Sequence, residues 1–388
     1  MNDTIQLFTE HVRSIYGPDF VPLHRPLFVG EEKQRLLDCV DSNFVSSAGT
    51  LITEFEKQVA AYTGIEYAVA TVNGTAAIQV ALRLVGVEPG DEVLTQALTF
   101  VATANAIAYT GATPTFIDVD RETMGLSPVS LAKFLEEQTQ RLPNGELVNR
   151  RSGRRIAAVM PMHTFGHPCH IGEIANICAD YEVPLIEDAA EALGSRLDEK
   201  HIGGHGQIAT LSFNGNKVIT TGGGGMLLTN DPGMAARAKH LTTTAKQPHA
   251  WNYFHTEVGY NYRMPNLNAA LGVAQMEKLD EMLGAKRVVA DRYAAFFADR
   301  DEHFVLERTG VTANYWLNAI LTEGRSARDE WLARTNEAGV MTRPAWDLMP
   351  DLPMYRECQH GGLENARWLQ ERLVNIPSSV PDGWIDSQ

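Results

Sequence analysis

The chain has 388 residues, 44% of them hydrophobic, and a formal charge of −15 at neutral pH, room enough for one large domain with a smaller companion. Such acidity argues against a nucleic-acid partner, which needs a basic face, and no apolar run is long enough to cross a bilayer. The N-terminus (MNDTIQLFTEHVRSIYG) lacks a basic or apolar leader region, and Cys39, Cys169, Cys178 and Cys358 show neither CxxC nor metal spacing, so reduced thiols and a cytoplasmic location are expected.

Through about residue 230, short apolar runs alternate with helical segments. YAVAT (67–71), DEVLT (91–95), PTFIDV (114–119), IAAVMPMH (156–163), VPLIEDAA (183–190) and IATLSF (208–213) read as buried strands. TAAIQVALRLVG, FVATANAIAYTG and IGEIANICADYE read as helices between several of them. This rhythm predicts an α/β domain whose mostly parallel sheet carries helices on both faces. The one basic cluster, RRSGRR (150–155), follows the turn signal PNGE and reads as a solvated hairpin rather than a binding patch. From about Pro265 a single long amphipathic helix is predicted over PNLNAALGVAQMEKLDEMLGAKRVVADRYAAFFADR. A strand YWLNAIL (315–321), a helix SARDEWLARTNEAG and the ending NIPSSV follow. The expected division is 1–264, a large α/β domain with its N-terminal segment, and 265–388, a connecting helix and a smaller α+β domain.

Ligands of an open parallel sheet sit at the carboxyl ends of its strands, and those ends bear a distinctive set of residues. Asn73-Gly74-Thr75 follows YAVAT at the start of a helix, where free N–H groups and the helix dipole favour an anion; simple capping by Thr75 is the competing reading. Phe100 stands at the next helix start, and His163 ends the following strand. Asp188 ends a run of Val, Pro, Leu and Ile, so its carboxylate needs a cationic partner or several donors, or else caps the next turn; Glu191 lies three residues on. Ser212 and Phe213 close the next strand, and Lys217 stands between them and the block Gly222–Gly225. A lysine beside an apolar pocket, an anion site and a buried carboxylate is the combination that pyridoxal 5'-phosphate chemistry needs. Phe100 then suits the ring face, and the glycines let the backbone turn beside a bulky group. Neither GxxxxGK[ST] nor a GxGxxG after the first strand is present.

With FEKQVAAYTG, ATVNGTAAI, TFVATANAI, PMHTFGHP, IEDAAEALGS, LSFNGNKVITTGGGGML and GYNYRMPNLNAALG in order, the chain resembles the DegT/DnrJ/EryC1/StrS sugar aminotransferases from about Val21 to Val380. The resemblance implies the fold of the type I pyridoxal phosphate transferases. Lys217 matches the lysine joined to the cofactor, Asp188 the partner of the pyridine nitrogen, and Phe100 the stacking ring. Gly74, Thr75 and Ser212 match the phosphate site, and Asn261 matches an asparagine lent by the second subunit of a homodimer with shared sites. Glu191 falls where many relatives carry Gln, and His163 matches a histidine lining the site. Some relatives with His at the lysine position are dehydratases; Lys217 therefore implies transamination, with L-glutamate as donor and a keto sugar as acceptor.

Within the family, NFVSSAG, HLTTTAK, NYWLNAIL and VMTRPAWDLMPDLPMY resemble the aminotransferases of legionaminic acid and bacillosamine biosynthesis. That implies amination at C4 of a UDP-linked, or GDP-linked, 2-acetamido-4-keto-2,4,6-trideoxyhexose. Arg343 and Trp346, and behind them Tyr315 and Arg263, are the expected sugar-nucleotide contacts. An enzyme of the same fold acting on another keto sugar or an amino acid is the alternative, followed by a non-catalytic binding or regulatory protein.

Overall fold

The computed structural model describes residues 3–385. Seven strands form the central sheet, in spatial order 67–71, 225–229, 208–212, 186–188, 156–160, 92–96 and 113–117. The parallel bridges Val159–Leu185 and Met162–Asp188 join its two halves. All pairings are parallel except those of Gly225–Thr229, which runs antiparallel to both neighbours. The expectation of a mostly parallel sheet is met. The antiparallel strand is an addition: its sequence, GMLLT, follows so closely on the glycines that the run reads as loop.

Apolar side chains cover both faces. On one side Ala77, Val80, Ile107, Met160, Ile208 and Leu227 pack the helices Gly74–Leu84, Val101–Tyr109 and Pro232–Thr242 against the sheet. On the other, Phe55, Leu94, Phe116, Leu211 and Phe213 build a larger core under the helix Thr50–Thr63. The hairpin appears where PNGE predicts it, pairing Thr139–Arg141 with Leu147–Asn149, and Arg155 beyond it bonds Asp91 at 2.6 Å.

The C-terminal part carries a four-stranded antiparallel sheet, ordered 303–304, 318–321, 373–376 and 343–344. The single long helix expected here is two, Asn266–Glu277 and Leu279–Phe297, interrupted at Lys278. The predicted strand 315–321 is shorter, Asn318–Leu321, because Asn314 Oδ1 accepts the Trp316 N–H at 2.8 Å and holds Tyr315 at φ 47°. The helix Thr4–Tyr16, grouped with the large domain in the sequence reading, buries Ile5, Phe8, Val12 and Ile15 with Val289, Tyr293, Phe297, Trp331 and Val374 of the C-terminal part.

Candidate active site

A cleft of about 790 Å³ opens at the carboxyl ends of the sheet and is closed on its outer side by C-terminal segments. The strand Tyr67–Thr71 delivers Gly74 and Thr75 to its floor. Asn73, not Thr75, caps the helix that follows: its Oδ1 accepts from Ala76 N at 2.8 Å and its carbonyl from Ala77 N. The N–H groups of Gly74 and Thr75 are thereby left without protein acceptors among the described residues. A Cβ at position 74 would stand 3.0 Å from Ser212 Cβ, so a larger residue would push the Ser212 side chain back from the cradle by a few tenths of an ångström. Two free N–H groups, a helix N-terminus and the Ser212 hydroxyl make a site for a phosphate dianion.

Asp188 ends the strand Ile186–Asp188 and is buried, with Thr103 Oγ1 donating to its Oδ2 at 2.7 Å and Ala190 N to its Oδ1 at 3.2 Å. Burial nonetheless pushes its carboxyl up from the ordinary range. Lys217 Nζ lies 3.2 Å from Glu191 Oε1 and 3.9 Å from the centre of the Trp316 ring. Glu191 Oε2 accepts the Phe165 N–H at 2.8 Å. Burial drives Glu191 up to about 7, against the pull of the Lys217 charge. Phe100, nearly half exposed, forms one wall, and Trp346 stands beside it with ring centroids 6.1 Å apart. Phosphate cradle, buried carboxylate, lysine and aromatic wall thus share one cleft, the donor set that pyridoxal 5'-phosphate requires.

The model of the DegT/DnrJ/EryC1/StrS aminotransferase family matches residues 27–381. The chain belongs to that family. It is 36% identical to a GDP-perosamine synthase of Escherichia coli O157:H7 over 92% of this chain and 93% of that protein. A GDP-perosamine synthase of Caulobacter vibrioides is 35% identical over 91% of each. Among solved structures, the aminotransferase TlmJ of Streptoalloteichus hindustanus superimposes with a TM-score of 0.83 at 27% identity, covering 92% of this chain and 93% of TlmJ. The fold is that of the type I pyridoxal phosphate transferases, and the chain is a pyridoxal phosphate-dependent sugar-nucleotide aminotransferase of this family. No described helix is long and apolar enough to cross a membrane.

Against this family background the expected site residues divide. Gly74, Thr75, Phe100, Asp188, Glu191, Ser212, Lys217, Arg343 and Trp346 all line the cleft. His163 does not. It is buried behind the cleft, its Nε2 3.2 Å from Glu187 Oε2 and its Nδ1 accepting from Cys169 N. Because Nδ1 accepts an N–H it carries no proton, which leaves Nε2–H to donate to Glu187; against burial, that bond and the N–H groups of Gly203, His205 and Gly206 hold Glu187 at about 2. Arg263 also misses the cleft: it is buried in a two-pronged ion pair with Glu56, which accepts from Ala70 N as well. Tyr315 is core. Its hydroxyl accepts from Glu307 N, its ring meets His167 edge-on, and Arg287 stacks over it.

Asn261 is exposed and lies outside its own chain's cleft. Trp316, Asn214, Asn216 and Asn375 line the cleft without having been singled out from sequence. Proximity of Asn214 and Asn216 to Lys217 was an available signal for two of them; Trp316 had none, being an aromatic inside an apolar run.

Proposed function

We propose that this aminotransferase moves the amino group of L-glutamate to C4 of a nucleotide-linked 4-keto-6-deoxyhexose. The observation that carries this reading is the convergence of Lys217, Asp188 and the Gly74–Thr75 helix start on a cleft whose outer wall bears Arg343 and Trp346. Pyridoxal phosphate bound there supplies an electron sink that lets a carbon-bound proton leave. Asp188, oriented by Thr103 and Ala190, holds a protonated ring nitrogen, and that cation offsets the burial which otherwise neutralises the carboxylate. Gly74 N–H, Thr75 N–H and the Ser212 hydroxyl bind the phosphate, joined by Asn261 of the partner subunit in a homodimer. Phe100 covers a ring face. Lys217 Nζ takes the proton from the amino-bearing carbon of glutamate and, in the second half-reaction, delivers one to C4 of the sugar. Glu191 restrains Nζ between these duties. Arg343 meets the carrier diphosphate at the rim, and Trp346 flanks the hexose.

Two acceptors fit. The subgroup motifs NFVSSAG and VMTRPAWDLMPDLPMY favour the 2-acetamido-4-keto-2,4,6-trideoxyhexose of legionaminic acid or related surface-glycan synthesis, on UDP or GDP. The likeness to GDP-perosamine synthases favours a GDP-linked 4-keto-6-deoxyhexose without the acetamido group, and this is the acceptor we prefer. Mass spectrometry of parallel reactions with L-glutamate and each acceptor tests the choice. A ketone-to-amine change in the GDP reaction, absent with Lys217→Ala, is the expected result. Turnover of only the acetamido sugar would reverse the preference, and no turnover of either would overturn the sugar assignment.

A further inference from the structure

Lys286 is 1% exposed and, among the described residues, pairs with no carboxylate. Its Nζ instead meets three acceptors: His24 Nε2 at 3.1 Å, the Trp316 carbonyl at 3.2 Å and the Ser378 carbonyl at 2.6 Å. An ammonium has three donors, so the match is complete. Burial lowers Lys286 to about 7, and a buried lysine is costly to keep unless its geometry does something an apolar residue would not.

What the three acceptors share is the cleft. His24 follows Leu23, Trp316 precedes Leu317, and Ser378 stands three residues beyond Asn375; Leu23, Trp316, Leu317 and Asn375 all line it. The three segments are also bonded to one another, Ser378 N to the Leu23 carbonyl at 2.7 Å and Asn318 N to Ser378 Oγ at 2.7 Å. Trp316 carries the consequence inward. Its Nε1 donates to the Asn216 carbonyl at 2.6 Å, one residue before Lys217, and its ring lies under Lys217 Nζ.

We infer that Lys286 is a positioning residue for the acceptor wall of the cleft: one ammonium on the helix Leu279–Phe297 gathers the three segments that the sugar must meet and seats Trp316 against Lys217. The inference rests on the proposed function, since it needs an acceptor larger than glutamate. Lys286 itself bonds none of Gly74, Asp188 and Lys217, the groups on which glutamate conversion draws, so that half-reaction serves as the internal control.

The test uses the holoenzyme and reads both half-reactions of Lys286→Met. Glutamate conversion, followed by the absorbance of the bound cofactor, is expected to stay within about twofold, while KM for the nucleotide keto sugar rises roughly 10-fold or more. Trp316→Leu, which keeps the carbonyl that Lys286 bonds but removes the ring, is expected to raise the sugar KM as well, and the double variant to raise it little beyond either single one, because Lys286 acts by seating that ring. If Lys286→Met does not accumulate, Lys286→Gln, which keeps two donors, is read in the same assays. Equal losses in both half-reactions, or an unchanged sugar KM with only a lower melting temperature, would overturn the inference. A wild-type enzyme that converts glutamate but neither sugar would instead refute the substrate reading, so the two failures are told apart.

Discussion

Asp188 and Glu191 stand three residues apart, both buried at the same cleft, and differ in their partners. Asp188 has a hydroxyl and an N–H but no cation in hydrogen-bond contact, whereas Glu191 touches Lys217 directly. Asp188→Asn removes the charge that a protonated ring nitrogen needs; kcat is expected to fall roughly 100-fold or more while the fold, read by circular dichroism, is kept. Glu191 makes a pH prediction. Its carboxyl in the cofactor-free protein is raised from 4.5 to about 7, so folding favours its neutral form. That contribution is fully present below about 4.5 and is lost as pH rises through about 7, with a slope of at most about 1.4 kcal/mol per pH unit. Denaturant titrations of cofactor-free protein across this window, wild type against Glu191→Gln, check it: wild type should lose stability relative to the variant as pH rises from about 4.5 through about 7. The reactive residues are legible in sequence because each stands at a strand end beside a helix start or a glycine. His163 reads as a strand end too, but the strand stops at Met160 and the His163 side chain turns away from the cleft to Glu187, a direction that strand periodicity does not give.

The glycine block has two separate uses. Gly222 sits at φ +77°, where the backbone turns, while Gly225 begins the antiparallel strand in extended conformation under the Asn73 backbone. A Cβ at 225 would fall 2.4 Å from the Asn73 carbonyl oxygen, which is backbone and cannot swing aside. Gly225→Ala is therefore expected to cost roughly 2 kcal/mol or more of stability, read by chemical denaturation, and to weaken cofactor binding by moving Gly74. The strand itself escapes sequence reading because it begins on the last of the four glycines and leaves only Met226, Leu227 and Leu228 as an apolar run. The broken helix at Lys278 fails for a different reason. Apolar positions continue through the break, since Val273 before it and Leu279 and Met282 after it face the same core, and periodicity does not show an interruption at a single residue.

Across the whole molecule, the surface around residues 249–258 is unusual for a chain this acidic. Trp251 is 82% exposed, Tyr253 77% and Val258 77%, next to the exposed Asn261. These aromatics and the position of Asn261 outside its own cleft fit sites shared between two copies. Complementation tests this. Lys217→Ala and Asn261→Asp are each expected to be nearly inactive; refolded together in equal amounts, they should recover about a quarter of wild-type activity, because half the dimers are mixed and each mixed dimer has one intact site. No recovery would mean that Asn261 serves its own chain or none.

The antiparallel strand Gly225–Thr229 also governs when the protein becomes able to hold its cofactor. The edge strand Tyr67–Thr71, which carries the phosphate cradle, pairs within the central sheet with that late strand alone. A nascent chain therefore exposes an unpaired apolar edge until the segment after Lys217 has left the ribosome, a long-range closure of the slow kind. The step that seals this edge is the same one that brings the cradle to the lysine. Cofactor present during synthesis should accordingly raise the yield of folded protein, acting as a clamp on the last strand to dock.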